Sequence, residues 1–343
     1  MGVIGLGMGR AHARGYHSHA QSDLIAICDP DEERLRSAQE ELDVPRTYTD
    51  AEAMFQEEDL DGVSIAVPNK FHAPLTMAGL KHGLHVLCEK PMAMTVQEAE
   101  GMNAAATEAG RNLMINFSFR FTDASYALKK QVEAGVVGDI YFGRSVWHRR
   151  RGIPRFGGWF GIKELSGGGP LLDLGVHRLD LALWLMGYPE PMVVSGSTYN
   201  RIAGPLAERE GKDFTVEDLA CGLVKFANGA TLILEASWAL NQQEHEHMTT
   251  NLYGDKGGLV HHNVGGGYDF TAEIFTDEGG DQFTKELDWR TASTPSSYHE
   301  FVDSIIEERP PLATGEEGLK VMKILEGIYR SAASGREVRY RQA

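Results

Sequence analysis

A short apolar run at the start of the chain leads into Gly5-Leu-Gly7-Met-Gly9, and a helical pattern, Arg10–Ala20, follows at once. No other feature restricts the fold as strongly. Glycine lets the backbone turn tightly and approach a ligand closely, and the unpaired N–H groups of a helix N-terminus attract anions. A strand, a glycine loop and a helix in this order suit a pyrophosphate, as at the head of a dinucleotide-binding sheet. That arrangement calls for an acid about 20 residues further on, at the end of the second strand, to hold a ribose diol. Asp29 follows the apolar run Leu24–Cys28 and stands 22 residues after Gly7. The loop reads GxGxG, one residue shorter than GxGxxG, which leaves the packing role of the third glycine open.

Up to residue 120, short β-rich runs alternate with amphipathic stretches. Gly2–Leu6, Leu24–Cys28, Val63–Val67, His85–Cys88 and Leu113–Phe117 are strand candidates, each bounded by Gly, Asp, Pro or Asn. Arg10–Ala20, Glu32–Leu42, Ala73–His82 and Val96–Ala109 have helical spacing. Such alternation predicts a doubly wound parallel sheet, a Rossmann domain over residues 1–120. The rhythm then changes, and residues 121–343 are expected to form a second, α/β domain. A helix at Ala124–Glu133 and a strand at Ile140–His148 precede a glycine-rich loop and an apolar helix from Leu171 to Met186. From Met192 to Leu287 strand follows strand, including Val216–Phe226, Ala230–Trp238, His247–Gly254 and Gly258–His262. Asn228-Gly229 predicts a type I′ hairpin, because both residues accept positive φ. Hairpin-linked strands build an antiparallel or mixed sheet. Helices at Tyr298–Glu307 and Glu316–Ala333 close the chain, with room for the last to pack back on the first domain.

Lys and Arg number 33 against 49 Asp and Glu, a formal charge of −16. A surface that negative repels phosphate backbones and anionic headgroups, which argues against nucleic acid and membrane as partners. No apolar run approaches the ~20 residues that span a bilayer. Cys28, Cys88 and Cys221 are few and widely spaced, and read as small hydrophobes in a reducing compartment, neither a disulfide frame nor a zinc site. With no basic leader or cleavage signature, the chain is expected to be cytoplasmic. The first strand begins almost at residue one, so a few native N-terminal residues are expected to be missing or replaced.

Two further motifs carry chemistry. Cys88-Glu89-Lys90-Pro91 closes a parallel strand at the edge where open α/β sheets bind ligands, so Lys90 is placed to stabilise a developing alkoxide. A solvated lysine ahead of a helix fits the same spacing. In Gly167-Gly-Gly-Pro-Leu-Leu-Asp173-Leu-Gly-Val-His177-Arg-Leu-Asp180, a nearly all-apolar helix carries Asp173, His177 and Asp180 at i, i+4 and i+7, on one face. Buried polar groups need partners, and a histidine there is a proton acceptor near neutral pH or a satisfied core residue. The basic run His148–Arg151 precedes Trp159, whose ring suits the face of a sugar. His245 and His247 lack a third ligand for a metal, and none is expected.

Taken together, Glu89-Lys90-Pro91 and, roughly 80 residues later, Gly-Gly-x-x-x-x-Asp173-x-Gly-x-His177 resemble the glucose–fructose oxidoreductase/inositol dehydrogenase/MocA family. The likeness runs nearly end to end through Pro68-Asn-Lys-Phe-His72, Asn116-Phe-Ser-Phe-Arg120-Phe, Gly135-Val-Val-Gly-Asp-Ile, Ala313-Thr-Gly-Glu-Glu-Gly and Ser331-Ala-Ala-Ser-Gly-Arg. It implies a large open, mostly antiparallel sheet in the second domain, used for substrate and for assembly into a homodimer or homotetramer. It makes Lys90, Asp173 and His177 catalytic. The dinucleotide would touch Gly5, Leu6, Gly7, Met8, Gly9, Asp29, Pro68, Asn69, His72, Glu89 and Lys90. Substrate would meet Lys90, Asn116, Arg120, Trp159, Asp173 and His177. Asp29 repels a 2′-phosphate, which favours NAD over NADP, although Arg34 on the next helix suits the latter. The expected activity is hydride transfer between a secondary alcohol of a sugar, cyclitol or related polyol and the nicotinamide. The alternatives are an NAD-assisted glycoside-cleaving enzyme that oxidises the sugar transiently, and a non-catalytic dinucleotide-binding sensor.

Overall fold

The computed structural model describes residues 1–288 and 294–340. The chain divides into two compact units, Met1–Phe117 with Pro295–Met322, and Ser118–Thr294 with Lys323–Ala343.

The first unit is built on six parallel strands: β1 (Gly2–Ile4), β2 (Ala26–Cys28), β3 (Arg46–Tyr48), β4 (Gly62–Ile65), β5 (His85–Glu89) and β6 (Leu113–Asn116). Their order is β3-β2-β1-β4-β5-β6. β1 is flanked by β2 on one side and β4 on the other, so the strand order reverses there, which is where a doubly wound sheet offers a ligand crevice. β1, β2 and β4 are buried along their whole length, as continuous apolar runs require of strands covered on both faces. β3 escapes an apolar-run criterion because Arg46-Thr-Tyr48 is a mostly exposed edge strand. The helices begin where side chains satisfy their free N–H groups. Asp31 accepts from Glu33 and Arg34 ahead of Glu32–Leu42, and Thr95 with Glu98 forms a capping box ahead of Val96–Ala109.

The second unit carries a nine-stranded sheet. Its strands are β7 (Ile140–Arg149), β8 (Pro191–Tyr199), β9 (Leu219–Phe226), β10 (Thr231–Ser237), β11 (Glu246–Gly254), β12 (Gly257–Val264), β13 (Asp269–Glu278), β14 (Asp281–Glu286) and β15 (Val338–Arg339), in the order β14-β13-β12-β11-β7-β10-β9-β8-β15. All neighbours are antiparallel except β7 and β10, which run parallel in the middle. Phe119, Trp147, Leu174, Val216, Ala236, Trp238 and Met248 form a buried cluster on one side. The other side of the same strands exposes Leu223, Tyr253 and Phe275.

Three expectations need correction here. The β9–β10 turn is not type I′: Gly229 alone has positive φ (86°), and Phe226 N–H bonds to the Ala230 carbonyl around a three-residue loop. Asn228 instead spends its side chain accepting the Ala230 N–H. That is the type I turn plus left-handed glycine of three-residue hairpins. The run from Met192 is interrupted by a helix, Ala203–Arg209, whose first N–H groups are held by Asp218 at 2.6 and 2.7 Å from Ile202 and Ala203. The apolar helix is also not uniform: Leu171–Gly175 is π-helical and Val176–Leu185 is α-helical.

Candidate functional site

The three glycines of the first loop have three separate tasks. Gly5 has φ +87°, and a β-carbon there would collide with the Ala66 carbonyl, so only glycine fits. Around Gly7 a β-carbon would meet nothing within 4 Å, which leaves open space beside the backbone. Gly9 lies against β1 and β4: its β-carbon would stand 3.0 Å from Val3 Cγ1 and 3.3 Å from Ala66 Cβ. Despite the shortened spacing, Gly9 therefore performs the close helix–strand packing of the third glycine. Helix Gly9–Ser18 starts at this point, with Met8 at its N-cap left 67% exposed.

Asp29 is buried at the end of β2. Its Oδ2 accepts the Leu6 N–H at 2.7 Å and its Oδ1 accepts the Asp31 N–H at 2.9 Å. A carboxylate has about four acceptor positions, so capacity for a diol remains. Leu6, expected to touch the dinucleotide, is buried and commits its N–H to Asp29; it fixes the carboxylate instead. Arg34 binds Asp31 at 3.3 Å and lies 3.9 Å from Asp29. An open backbone cradle, a helix N-terminus and a held acid fit a dinucleotide.

At the end of β5 a network surrounds Glu89. Its Oε1 lies 2.9 Å from His12 Nε2 and accepts Asn116 Nδ2 at 2.6 Å, while Oε2 accepts the Lys90 N–H at 3.2 Å. Burial alone would raise the Glu89 carboxyl, but His12, Lys90 and Asn116 outweigh it and hold it below its ordinary range. His12 reaches Ser64 Oγ with its other nitrogen, and Tyr16 shares that hydroxyl. Nothing in the glycine motif names His12, yet Gly9, His12, Ala13 and Tyr16 are the buried positions of one helix face, and that spacing is visible in the sequence. Pro68 precedes a short 3₁₀ turn, Asn69–Phe71, that buries Asn69. His72 corrects another expectation. It is buried, with ring nitrogens 2.7 Å from the Pro91 carbonyl and 2.8 Å from the Val67 carbonyl, and burial lowers its proton affinity. It ties the loop after β4 to the turn that carries Lys90 and leaves no ring nitrogen for a ligand.

In the second unit, Asp173 sits in the π-helical turn and His177 in the first turn of the α-helix. A π-turn within a helix is a frequent mark of a functional position. Trp238 donates its indole N–H to Asp173 Oδ2 at 2.9 Å. His177 is half-buried, its ring centred 5.4 Å from Phe119 and 5.7 Å from Trp147. Trp147 and Arg149 both donate to Glu246 Oε1, at 2.7 and 2.8 Å, and Arg149 also binds Tyr268. Arg178, beside His177, is fully buried over the Phe119, Phe270 and Trp147 rings at 4.8, 5.3 and 5.7 Å, and burial lowers it to about 9. Trp159 stacks on Phe160 at 3.9 Å, and Phe160 packs on the cluster that contains Trp238.

Arg120, expected to meet substrate, pairs with Asp180 in the core. Asp180 is fully buried and takes Arg120 Nη2 at 2.7 Å and Nε at 3.0 Å; the Tyr188 hydroxyl binds both. Arg120 is 1% exposed, so it braces the fold and does not meet a substrate. Helical spacing put Asp180 on the face of His177, but the large buried pair holds it in the core. Among the described residues no group of three or more His, Cys, Asp or Glu is placed to hold a metal, and no helix is long and apolar enough to cross a membrane.

Fold and loop together define a dinucleotide-binding α/β protein. Residues 1–117 match the model of an oxidoreductase family with an NAD-binding Rossmann fold, and residues 129–340 match the C-terminal alpha/beta domain of the same family. The chain belongs to this glucose–fructose oxidoreductase/inositol dehydrogenase/MocA family. It is 33% identical over 349 residues to D-glucoside 3-dehydrogenase of Escherichia coli K12, covering 98% of this chain and 96% of that one. It is 28% identical to myo-inositol 2-dehydrogenase of Thermotoga maritima, covering 99% and 98%. Among solved structures, aldose-aldose oxidoreductase from Caulobacter crescentus, complexed with glycerol, superposes with a TM-score of 0.82 at 27% identity over 99% of this chain and 98% of the other.

Proposed function

We propose that this oxidoreductase is an NAD-dependent dehydrogenase that oxidises a secondary alcohol of a glucoside, cyclitol or related polyol. The observation that carries the proposal is the Asp173–His177 helix: a half-buried imidazole against two aromatic rings, one turn after a carboxylate held by Trp238. The buried rings hold the imidazole in place, and the imidazole suits the hydroxyl proton of such an alcohol. The names of the relatives, a D-glucoside dehydrogenase and a myo-inositol dehydrogenase, point to the same substrate class.

The nicotinamide, when bound, supplies the hydride acceptor. Gly5, Gly7, Gly9 and the helix N-terminus would hold the pyrophosphate, and Asp29 the ribose diol. The Asp29 carboxylate repels a 2′-phosphate, which supports NAD over NADP. His177 takes the hydroxyl proton, Asp173 orients the substrate or His177, and the Lys90 ammonium stabilises the developing alkoxide. Asn116 and Trp159 complete substrate binding. The protein is assigned to homodimers or homotetramers built on the uncovered face of the nine-stranded sheet.

The test is a panel of methyl β-D-glucoside, myo-inositol and related polyols with NAD or NADP, followed by absorbance of the reduced cofactor. Net reduction with NAD supports a dehydrogenase. Sugar cleavage without net reduction would replace it with the transient-oxidation alternative, and no reaction with any sugar or cyclitol would sink it. His177→Ala should lose about 10²–10⁴-fold in turnover.

A further inference from the structure

Glu217, in the segment before β9, is 7% exposed and faces the entry of the helix that carries Asp173 and His177. Its Oε2 accepts the Gly169 N–H at 3.0 Å and its Oε1 the Leu171 N–H at 3.2 Å; Tyr329 donates its hydroxyl to Oε1 at 2.7 Å. The first N–H groups of a helix have no partner within it and must be satisfied from outside. Here the account closes. Pro170 has no N–H, Leu172 and Asp173 donate to the Gly169 carbonyl, and Gly169 and Leu171 donate to Glu217.

The glycines make this contact possible. A β-carbon on Gly168 would collide with the Tyr329 hydroxyl, and one on Gly169 with the Glu217 carbonyl. Gly168 and Gly169 therefore serve close docking onto Tyr329 and Glu217. A carboxylate at a helix N-terminus is also favoured by the helix dipole. Of the two N–H groups it holds, one belongs to Gly169 and the other to Leu171, the first residue of the π-turn that carries Asp173.

We infer that Glu217 is a positioning residue for the reaction: its carboxylate, braced by Tyr329, clamps the helix entry so that Asp173 and His177 are held in working register. This rests on the dehydrogenase role proposed above. The charge matters because two N–H groups and one hydroxyl converge on it, and a neutral amide would present a donor to one of them.

The test compares Glu217→Gln and Tyr329→Phe with wild type and His177→Ala. Amide hydrogen exchange is read over residues 167–177. NADH affinity is read by fluorescence, and kcat and KM are measured with methyl β-D-glucoside at saturating NAD. Glu217→Gln should speed exchange at Gly169 and Leu171 by at least about fivefold. It should lower kcat by about tenfold to a hundredfold while NADH affinity stays within about twofold. Tyr329→Phe should move the same quantities less far, and it decides the matter by the same criteria if Glu217→Gln does not fold. Unchanged exchange, or faster exchange with kcat within about twofold of wild type, overturns the inference. Loss of turnover in His177→Ala alone leaves the dehydrogenase role standing and rejects Glu217. A wild-type protein or a His177→Ala variant that contradicts that role removes both.

Discussion

His12 binds Ser64 of β4 through one ring nitrogen and Glu89 of β5 through the other, both at 2.9 Å, so one imidazole joins the first helix to two strands. Glu89 is held below its ordinary carboxyl range, so the native state keeps its charge better than the unfolded chain does. Its contribution to stability is present above the ordinary carboxyl value and is lost as pH falls through the lowered native one. Denaturant unfolding between pH 7 and pH 3 should therefore show a steeper acid loss in wild type than in Glu89→Gln. Parallel pH curves would show that Glu89 gains nothing from His12, Lys90 and Asn116.

Gly7 and Gly9 should separate binding from folding. A β-carbon at Gly7 meets nothing in the protein, so Gly7→Ala should fold with near-native stability but bind dinucleotide more weakly. At Gly9 the same methyl presses on Val3 and Ala66, so Gly9→Ala should lose about 1–3 kcal/mol through overpacking. Thermal melting with an NADH titration checks both. Equal melting losses in the two variants would contradict the division of tasks.

Arg120 and Asp180 form a buried pair, and removing one partner leaves the other charge without compensation. Arg120→Ala should cost about 3–5 kcal/mol in urea unfolding while KM for sugar in the folded protein changes little. A raised KM at unchanged stability would return Arg120 to the substrate.

The sheet face that exposes Leu223, Tyr253 and Phe275 should bury itself against a second copy, since contiguous exposed apolar patches mark interfaces. Light scattering at micromolar concentration should give a multiple of the chain mass. Charges placed at Tyr253 and Leu223, both on that face, should reduce it towards one chain. A wild-type mass of one chain refutes the assembly.

The first sheet was legible because buried parallel strands are continuous apolar runs, and the place of Asp29 was legible because it directly follows the second of those runs. β3 was not, since an edge strand needs no apolar pattern. Asp173, His177 and Asp180 stand out as polar residues in an apolar helix, but that pattern does not show that Asp180 pairs with Arg120, which the family likeness places at the substrate. Their partnership joins residues 60 positions apart, and no local spacing encodes it. His72 matched a family motif, yet whether a histidine meets a ligand or ties two loops depends on carbonyls that any sequence supplies. Glu217 lay outside every motif because a cap can come from anywhere in the chain.

The parallel pair at the middle of the second sheet has a consequence for synthesis. β7 has two neighbours, β10 and β11, and both are made long after it. While the ribosome adds the intervening segment at about 5–20 residues per second, both edges of β7 stay open to foreign strands. The central strand is thus protected from both sides only when Gly254 emerges. Newborn chains should be most prone to aggregate when translation stalls between Arg149 and Glu246.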